Sequence, residues 1–305
     1  MRDVDIAAGQ PVILNIGCNK HTLSAFVLGF ARASMLLSST LSGYHWSLPK
    51  APVPNVDDWW ASLKNIANSI TYGACGQCSG QPSAASSETF RKPEVHASKP
   101  PPPLVLCVEP LPINVKLLHK SCNVLNYDTN FPSLEVLDLA GSSHAGDIVF
   151  LPDSDSAGQD YSSYCTTVDA LVEQYEIKEI DVLAIDTEGY DPLVLSGASK
   201  TLKERKVRYI EFEFHIKGPW VGTSLSSKIE DLDRFGYDCF WAGKDDKKNV
   251  GVLWPLTGTR NWDPRYDDVR AWSNIVCVDR LDQWAAVLEE YIYKPAAKNS
   301  LMTKL

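Results

Sequence analysis

The chain has 305 residues, 44% hydrophobic and 22% charged, with a formal net charge of −9. This is the make-up of an ordinary soluble globular protein, long enough for one or two domains with a sizeable core. No Lys/Arg cluster is present, which argues against nucleic acid and anionic membrane as partners, and no apolar run approaches a membrane span.

Taken in order, Pro11–Ile16 reads as a strand that opens the fold and runs into Gly17-Cys18-Asn19. An apolar helix should follow from about Thr22 to Leu37, with Leu23, Phe26, Val27 and Phe30 on a buried stripe. Residues 38–103 are rich in Ser, Pro, Gly and Ala and read as an insertion, with one helical island at Asp57–Ile70. Regular structure resumes with a buried strand, Leu104–Val108, that ends in Glu109-Pro110. A helix is expected from Ile113 to Leu125, then strands at Leu134–Leu139 and Asp147–Leu151. A polar loop, Pro152–Tyr164, leads to a helix that ends at Gln174.

Next comes Ile180–His215, the densest chemistry in the chain. Two apolar runs, Val182–Ile185 and Val207–Phe214, have the character of buried parallel strands. Between them Leu193–Glu204 reads as a helix, with Asp191 as its cap and Pro192 at its first position. This is a βαβ unit. Its strands end in Asp186-Thr187-Glu188-Gly189 and in Glu211, Glu213 and His215, where an open α/β sheet binds ligands. A helix from Ser226 to Phe235 should stop at Gly236. Tyr237–Ala242 and Asn274–Asp279 look like a closing antiparallel strand pair, joined by a Trp- and charge-rich loop, Gly243–Ser273. Asp282–Tyr291 closes the chain as a helix. The expected architecture is a doubly wound, mostly parallel α/β sheet that ends in an antiparallel pair. We expect a single domain over 1–305, with the insertion at about 38–103 and a C-terminal extension from about 243.

The strongest cationic run, Lys203–Lys206 with Arg208, is expected at a helix end. The N-terminus has no basic region followed by an apolar core, so no signal peptide is expected. The eight cysteines are therefore expected as free thiols of a cytoplasmic protein, with Cys107, Cys239 and Cys277 acting as small hydrophobes in strands. Cys75-Gly-Gln-Cys78 offers half of a zinc site, but no second half is visible, and no metal is expected.

Two marks suggest a ribose-bearing cofactor: the Gly17 turn after the first strand, and Glu109, an acid that can accept hydrogen bonds from ribose hydroxyls. A pyrophosphate needs G-x-G-x-x-G, and only Gly17 is present, so a dinucleotide is disfavoured. S-adenosylmethionine carries a sulfonium and no phosphate, and needs no such motif.

The segments VILNIGCNKHTLSAF, VLCVEPLPINVKLL, IDVLAIDTEGYDPLVLSGASKTL and VRYIEFEF resemble the FkbM family of S-adenosylmethionine-dependent methyltransferases. The resemblance covers most of Pro11–Ala242 apart from the insertion. It implies a Rossmann-like class I methyltransferase fold and methyl transfer to an oxygen, usually a hydroxyl of a sugar, glycolipid or natural product. By position it implies cofactor binding by Gly17, Asn19 and Glu109, with Asn15 beside them and Ala140 near the adenine. Asn15 departs from the family's acid, His21 stands where a second glycine is common, and Ala184 stands where lysine is frequent. Asn15 and His21 motivate an alternative, a degenerate member that binds without turnover.

For the chemistry, Asp186 and Glu188 are two apart at a strand end and share a face if the backbone there is extended. Either can orient or deprotonate the acceptor, with His215 as a further candidate.

Overall fold

The computed structural model describes residue 6 and residues 10–17, 104–125, 133–151, 161–245, 250–258, 262–269 and 273–292. The expected insertion, the Thr22–Leu37 helix, Asn19, His21, Cys75 and Cys78 lie outside the described residues.

An eight-stranded sheet carries the fold. Its strands are β1 (Val12–Ile16), β2 (Leu104–Val108), β3 (Ser133–Leu137), β7 (Ile180–Ile185), β8 (Val207–Phe214), β9 (Tyr237–Asp245), β10 (Val250–Pro255) and β11 (Ser273–Asp279), in the order β10-β9-β11-β8-β7-β1-β2-β3. The run β3-β2-β1-β7-β8 is parallel throughout, and β11 sits antiparallel between β8 and β9. The fold is thus mixed α/β with a large, mostly parallel sheet. A small second sheet joins β4 (Ala140–Gly141), β6 (Tyr161–Thr166) and β5 (Ile148–Leu151).

The order follows from burial. VILNI and LVLCV are buried at every position, so each needs a neighbour on both sides and a cover on both faces. One face packs on helices α2 (Val168–Gln174), α3 (Asp191–Gly197), α4 (Ser199–Lys203) and α5 (Leu225–Phe235), through residues such as Leu14, Leu106, Leu183 and Ile210. On the other, Ile13, Val105 and Val182 pack with Leu118 of α1 (Pro112–Leu125). Phe240 and Val276 there meet α6 (Gln283–Leu288). Strand order runs outward from β1 through β2 to β3, then returns past β1 to β7 and β8. That reversal leaves a crevice at the carboxyl ends of β1 and β7.

Several expectations change. The Gly243–Ser273 loop holds β10, which pairs with β9, so the sheet gains an edge strand instead of ending in one antiparallel pair. The supposed polar loop before α2 contains β6. Ala198 splits the Leu193–Glu204 helix into α3 and α4. Arg208 lies in β8 rather than on a helix end, and pairs with Asp181 and Asp282 at 2.7 Å each. The free-thiol expectation fails for Cys239 and Cys277. Pairing of β9 with β11 sets them directly opposite, with a Cα–Cα distance of 4.0 Å, and they form a disulfide. Cys107 is disulfide-bonded too, whereas Cys165 is free and buried. Among the described residues no helix is long and apolar enough to cross a membrane.

Candidate active site

The floor of the crevice is backbone. Gly17 has φ +86°, a left-handed conformation that favours glycine. Its N–H donates to the Val108 carbonyl at 2.8 Å, and the Asp186 N–H donates to the Ile16 carbonyl at 2.9 Å. A Cβ on Gly17 would lie 1.8 Å from the Asp186 carbonyl oxygen. The ends of β1, β2 and β7 are thus locked around a missing side chain. Gly141 closes one flank in the same way, since its Cβ would lie 2.2 Å from Ile16 Cγ2. Ala140 beside it is buried.

Glu109 ends β2 and is almost wholly buried. Burial raises its carboxyl to about 7, against the pull of hydrogen bonds and with a further push from Asp186 and Asp138. Leu111 N–H at 2.9 Å and Asn114 Nδ2 at 3.3 Å both donate to Oε1. Oε2 takes no hydrogen bond among the described residues. Asn15 is fully buried within β1, opposite Cys107 on one side and Ala184 on the other.

Across the crevice, β7 stops at Ile185 and the chain turns through Glu188 (φ +53°) and Gly189 (φ +106°). The backbone is not extended there, so Asp186 and Glu188 do not share a strand face. Asp186 stays half-buried beside Gly17. Glu188 turns outward, 68% exposed, and pairs with Lys217 at 3.0 Å.

His215 follows β8 and is 4% exposed, with Nε2 4.0 Å from Glu213 Oε2. Burial lowers its pKa, helped by Lys217 and opposed by Glu188, so the imidazole is neutral at neutral pH. Glu211 accepts from Asn274 Nδ2 at 2.9 Å, and its carboxyl is raised by burial.

Gly17, Glu109, Asp186 and Asn15 therefore gather at the ends of β1, β2 and β7, with Glu188 and His215 on the neighbouring rim. Asp191 is the residue the sequence misplaces. It is the first residue of α3, not its cap; Tyr190 holds the cap position. Wholly buried, it accepts from Thr187 Oγ1 at 2.9 Å and from the Glu213 N–H at 3.0 Å, which ties the β7 turn to β8. Burial raises it to about 6. Its only signal in the sequence is an acid just before a proline, which is also what a helix cap looks like. Among the described residues no group of three His, Cys, Asp or Glu could hold a metal ion.

The family model described as the methyltransferase FkbM domain matches residues 75–239, just over half of the chain. The chain belongs to the FkbM methyltransferase family. No curated protein and no solved structure matches it significantly. The FkbM match spans β2 to the start of β9 and takes in Glu109, the Asp186–Gly189 turn, Asp191 and His215. It begins after β1, so it reaches less far toward the N-terminus than the resemblance in the sequence. In this FkbM-family fold Gly17 joins the site through the pairing of β1 between β2 and β7.

Proposed function

We propose that this methyltransferase uses S-adenosylmethionine and methylates a hydroxyl of a sugar, glycolipid or small natural product, on a Rossmann-like class I fold. The observation that carries the reading is the pairing of the Gly17 floor with the buried Glu109 carboxylate across one crevice. These groups fit the cofactor. Glu109 Oε2 suits ribose hydroxyls, and Gly17, where a Cβ would meet the Asp186 carbonyl, lets the ends of β1 and β7 close into the floor beneath them. Asn15 lies in the same strand as this floor, and Ala140 is assigned to the adenine side. The bound cofactor supplies an electrophilic methyl group with a neutral thioether as leaving group. The chain's own residues then have to hold the acceptor in line and exclude water. Asp186, next to the floor, orients the acceptor hydroxyl, with Glu188 on the rim and His215 nearby. The acidic edge disfavours nucleic acid as the acceptor.

Calorimetric titration with S-adenosylmethionine tests this, with NADH as the control. Heat is expected with the first and none with the second; the reverse result sinks the reading. Asp186→Ala should then lower turnover by about 10²–10⁴-fold. Its affinity for the cofactor should stay within a few-fold of the parent. Asn15, an amide where the family has an acid, favours the second reading, binding without turnover. It predicts heat on titration but no gain of a methylene mass in any component of a metabolite or glycan extract.

A further inference from the structure

Methylation of a hydroxyl forms a C–O bond and breaks the C–S bond of the sulfonium, whose electron pair stays on sulfur. One proton, that of the hydroxyl, must still be placed. Most carboxylates at the edge already hold partners. Glu188 is engaged by Lys217, Glu211 by Asn274, and Asp191 by Thr187 and the Glu213 N–H. Nε2 of His215 differs. It is buried and has no hydrogen-bond partner among the described residues, and an unsatisfied buried nitrogen of this kind calls for an explanation.

We infer that the acceptor's proton passes to Nε2 of His215, that the Glu213 carboxylate stabilises the imidazolium so formed, and that Asp191 positions Glu213 through its backbone N–H. This rests on the methyltransferase reading above. The geometry supports each part. Glu213 Oε2 lies 4.0 Å from Nε2, within the range where an opposite charge favours the protonated ring. Asp191 fixes the strand one residue before Phe214 and two before His215, and its other oxygen fixes the turn that carries Asp186. The charged groups that face the ring are Glu213 from its own strand, Lys217 from the segment after β8 and Glu188 from the β7 turn. At rest the ring is neutral, the form that can accept a proton. After transfer the proton leaves to solvent past the exposed Glu188–Lys217 rim.

The test reads the imidazole itself. Long-range ¹H–¹⁵N spectra of the full chain across pH follow its six histidines, with His215 assigned by the signal lost in His215→Gln. His215 should be neutral at pH 7, and Glu213→Gln should lower its apparent pKa by about one unit or more. Asp191→Asn should move it in the same direction and leave the amide spectrum of the rest of the chain in place, which a general loosening of the fold would not do. With S-adenosylmethionine added, His215→Gln should keep the calorimetric heat and lose at least about 100-fold in label transfer from methyl-tritiated cofactor to an extract. A His215 titration that Glu213→Gln leaves unmoved, or a ring already protonated at pH 7, overturns the assignment while the methyltransferase reading stands. Absence of heat in the parent protein removes that reading, and the assignment with it.

Discussion

The two edges of the sheet use the same carboxylate chemistry to opposite ends. At the amino edge, Asp181, Asp279 and Asp282 are each matched to arginine. Arg208 bridges Asp181 and Asp282, and Arg205 pairs with Asp279. Asp181 also accepts the Val12 N–H at 2.9 Å, so one ionic cluster joins the starts of β1, β7 and β8 to the segment before α6. At the carboxyl edge, Glu109, Asp191 and Glu211 are served by amides and a hydroxyl, and burial raises all three. The cation paired there among the described residues is Lys217, and the neutral His215 ring lies 4.0 Å from Glu213. Arginine-matched acids hold structure. Acids that are buried without arginine cost stability, and such perturbed groups are candidates for the site proposed above.

The comparison breaks most visibly at Arg208. Its guanidinium is 14% exposed and holds two carboxylates. Arg208→Leu leaves both without their partner, and we expect a loss of about 3 kcal/mol in unfolding free energy. Urea denaturation measures it. Cofactor affinity of the folded fraction should stay unchanged, because the substitution is at the far edge. A variant that lost cofactor binding in proportion would show that the two edges are not separable.

Glu109 sharpens the comparison from the other side. Its folded-state value is about 7, against an ordinary 4.5. A raised acid favours the folded state below its unfolded value, and that contribution is lost as pH rises through about 7. It amounts to roughly 3 kcal/mol between pH 4 and 8. Glu109→Gln should flatten that part of the stability profile. For binding of the proposed cofactor the sign reverses, because its ribose hydroxyls would donate to the ionised carboxylate. Affinity should rise about tenfold per pH unit below 7 and level off above it. Calorimetry at pH 6.5 in two buffers of different ionisation enthalpy should detect the proton that binding releases. Equal heats in both buffers would mean that Glu109 is not the group the ligand meets.

How much of this can be read from the sequence depends on the kind of interaction. Apolar runs declare strands, so β1, β2, β7 and β8 and the crevice between them are legible, as are Gly17 and Glu109 at their ends. Expected Leu134–Leu139 and observed Ser133–Leu137 differ only at the boundaries. Three things escape because they depend on pairing across the chain. β10 is held by β9, and its own residues sit in a Trp- and charge-rich stretch. Cys239 and Cys277 look like core hydrophobes until β9 and β11 align them. Asp191 looks like a cap because its true partner, the Glu213 N–H, is 22 residues away. The exposed turn at Glu188 escapes for a local reason. A left-handed non-glycine residue is rare, and Gly189 beside it suggests only a turn of some kind.

The smallest expected effect is at that rim. Lys217 and Glu188 are 65% and 68% exposed, so the pair should contribute less than about 0.5 kcal/mol to stability, and Lys217→Met should leave unfolding almost unchanged. Its effect belongs elsewhere. Lys217 is one of the two influences that lower the His215 ring, and Glu188, the opposing influence, loses its counter-ion in the variant. Both changes favour the imidazolium, so the ring's apparent pKa should rise toward its ordinary value. Glu213→Gln drives it the other way, so the two variants bracket the parent in the same imidazole spectra. A Lys217→Met ring that titrates where the parent does would mean that solvent screens the rim from the buried site. The carboxyl edge would then be set by burial alone, without the ion pair at its mouth.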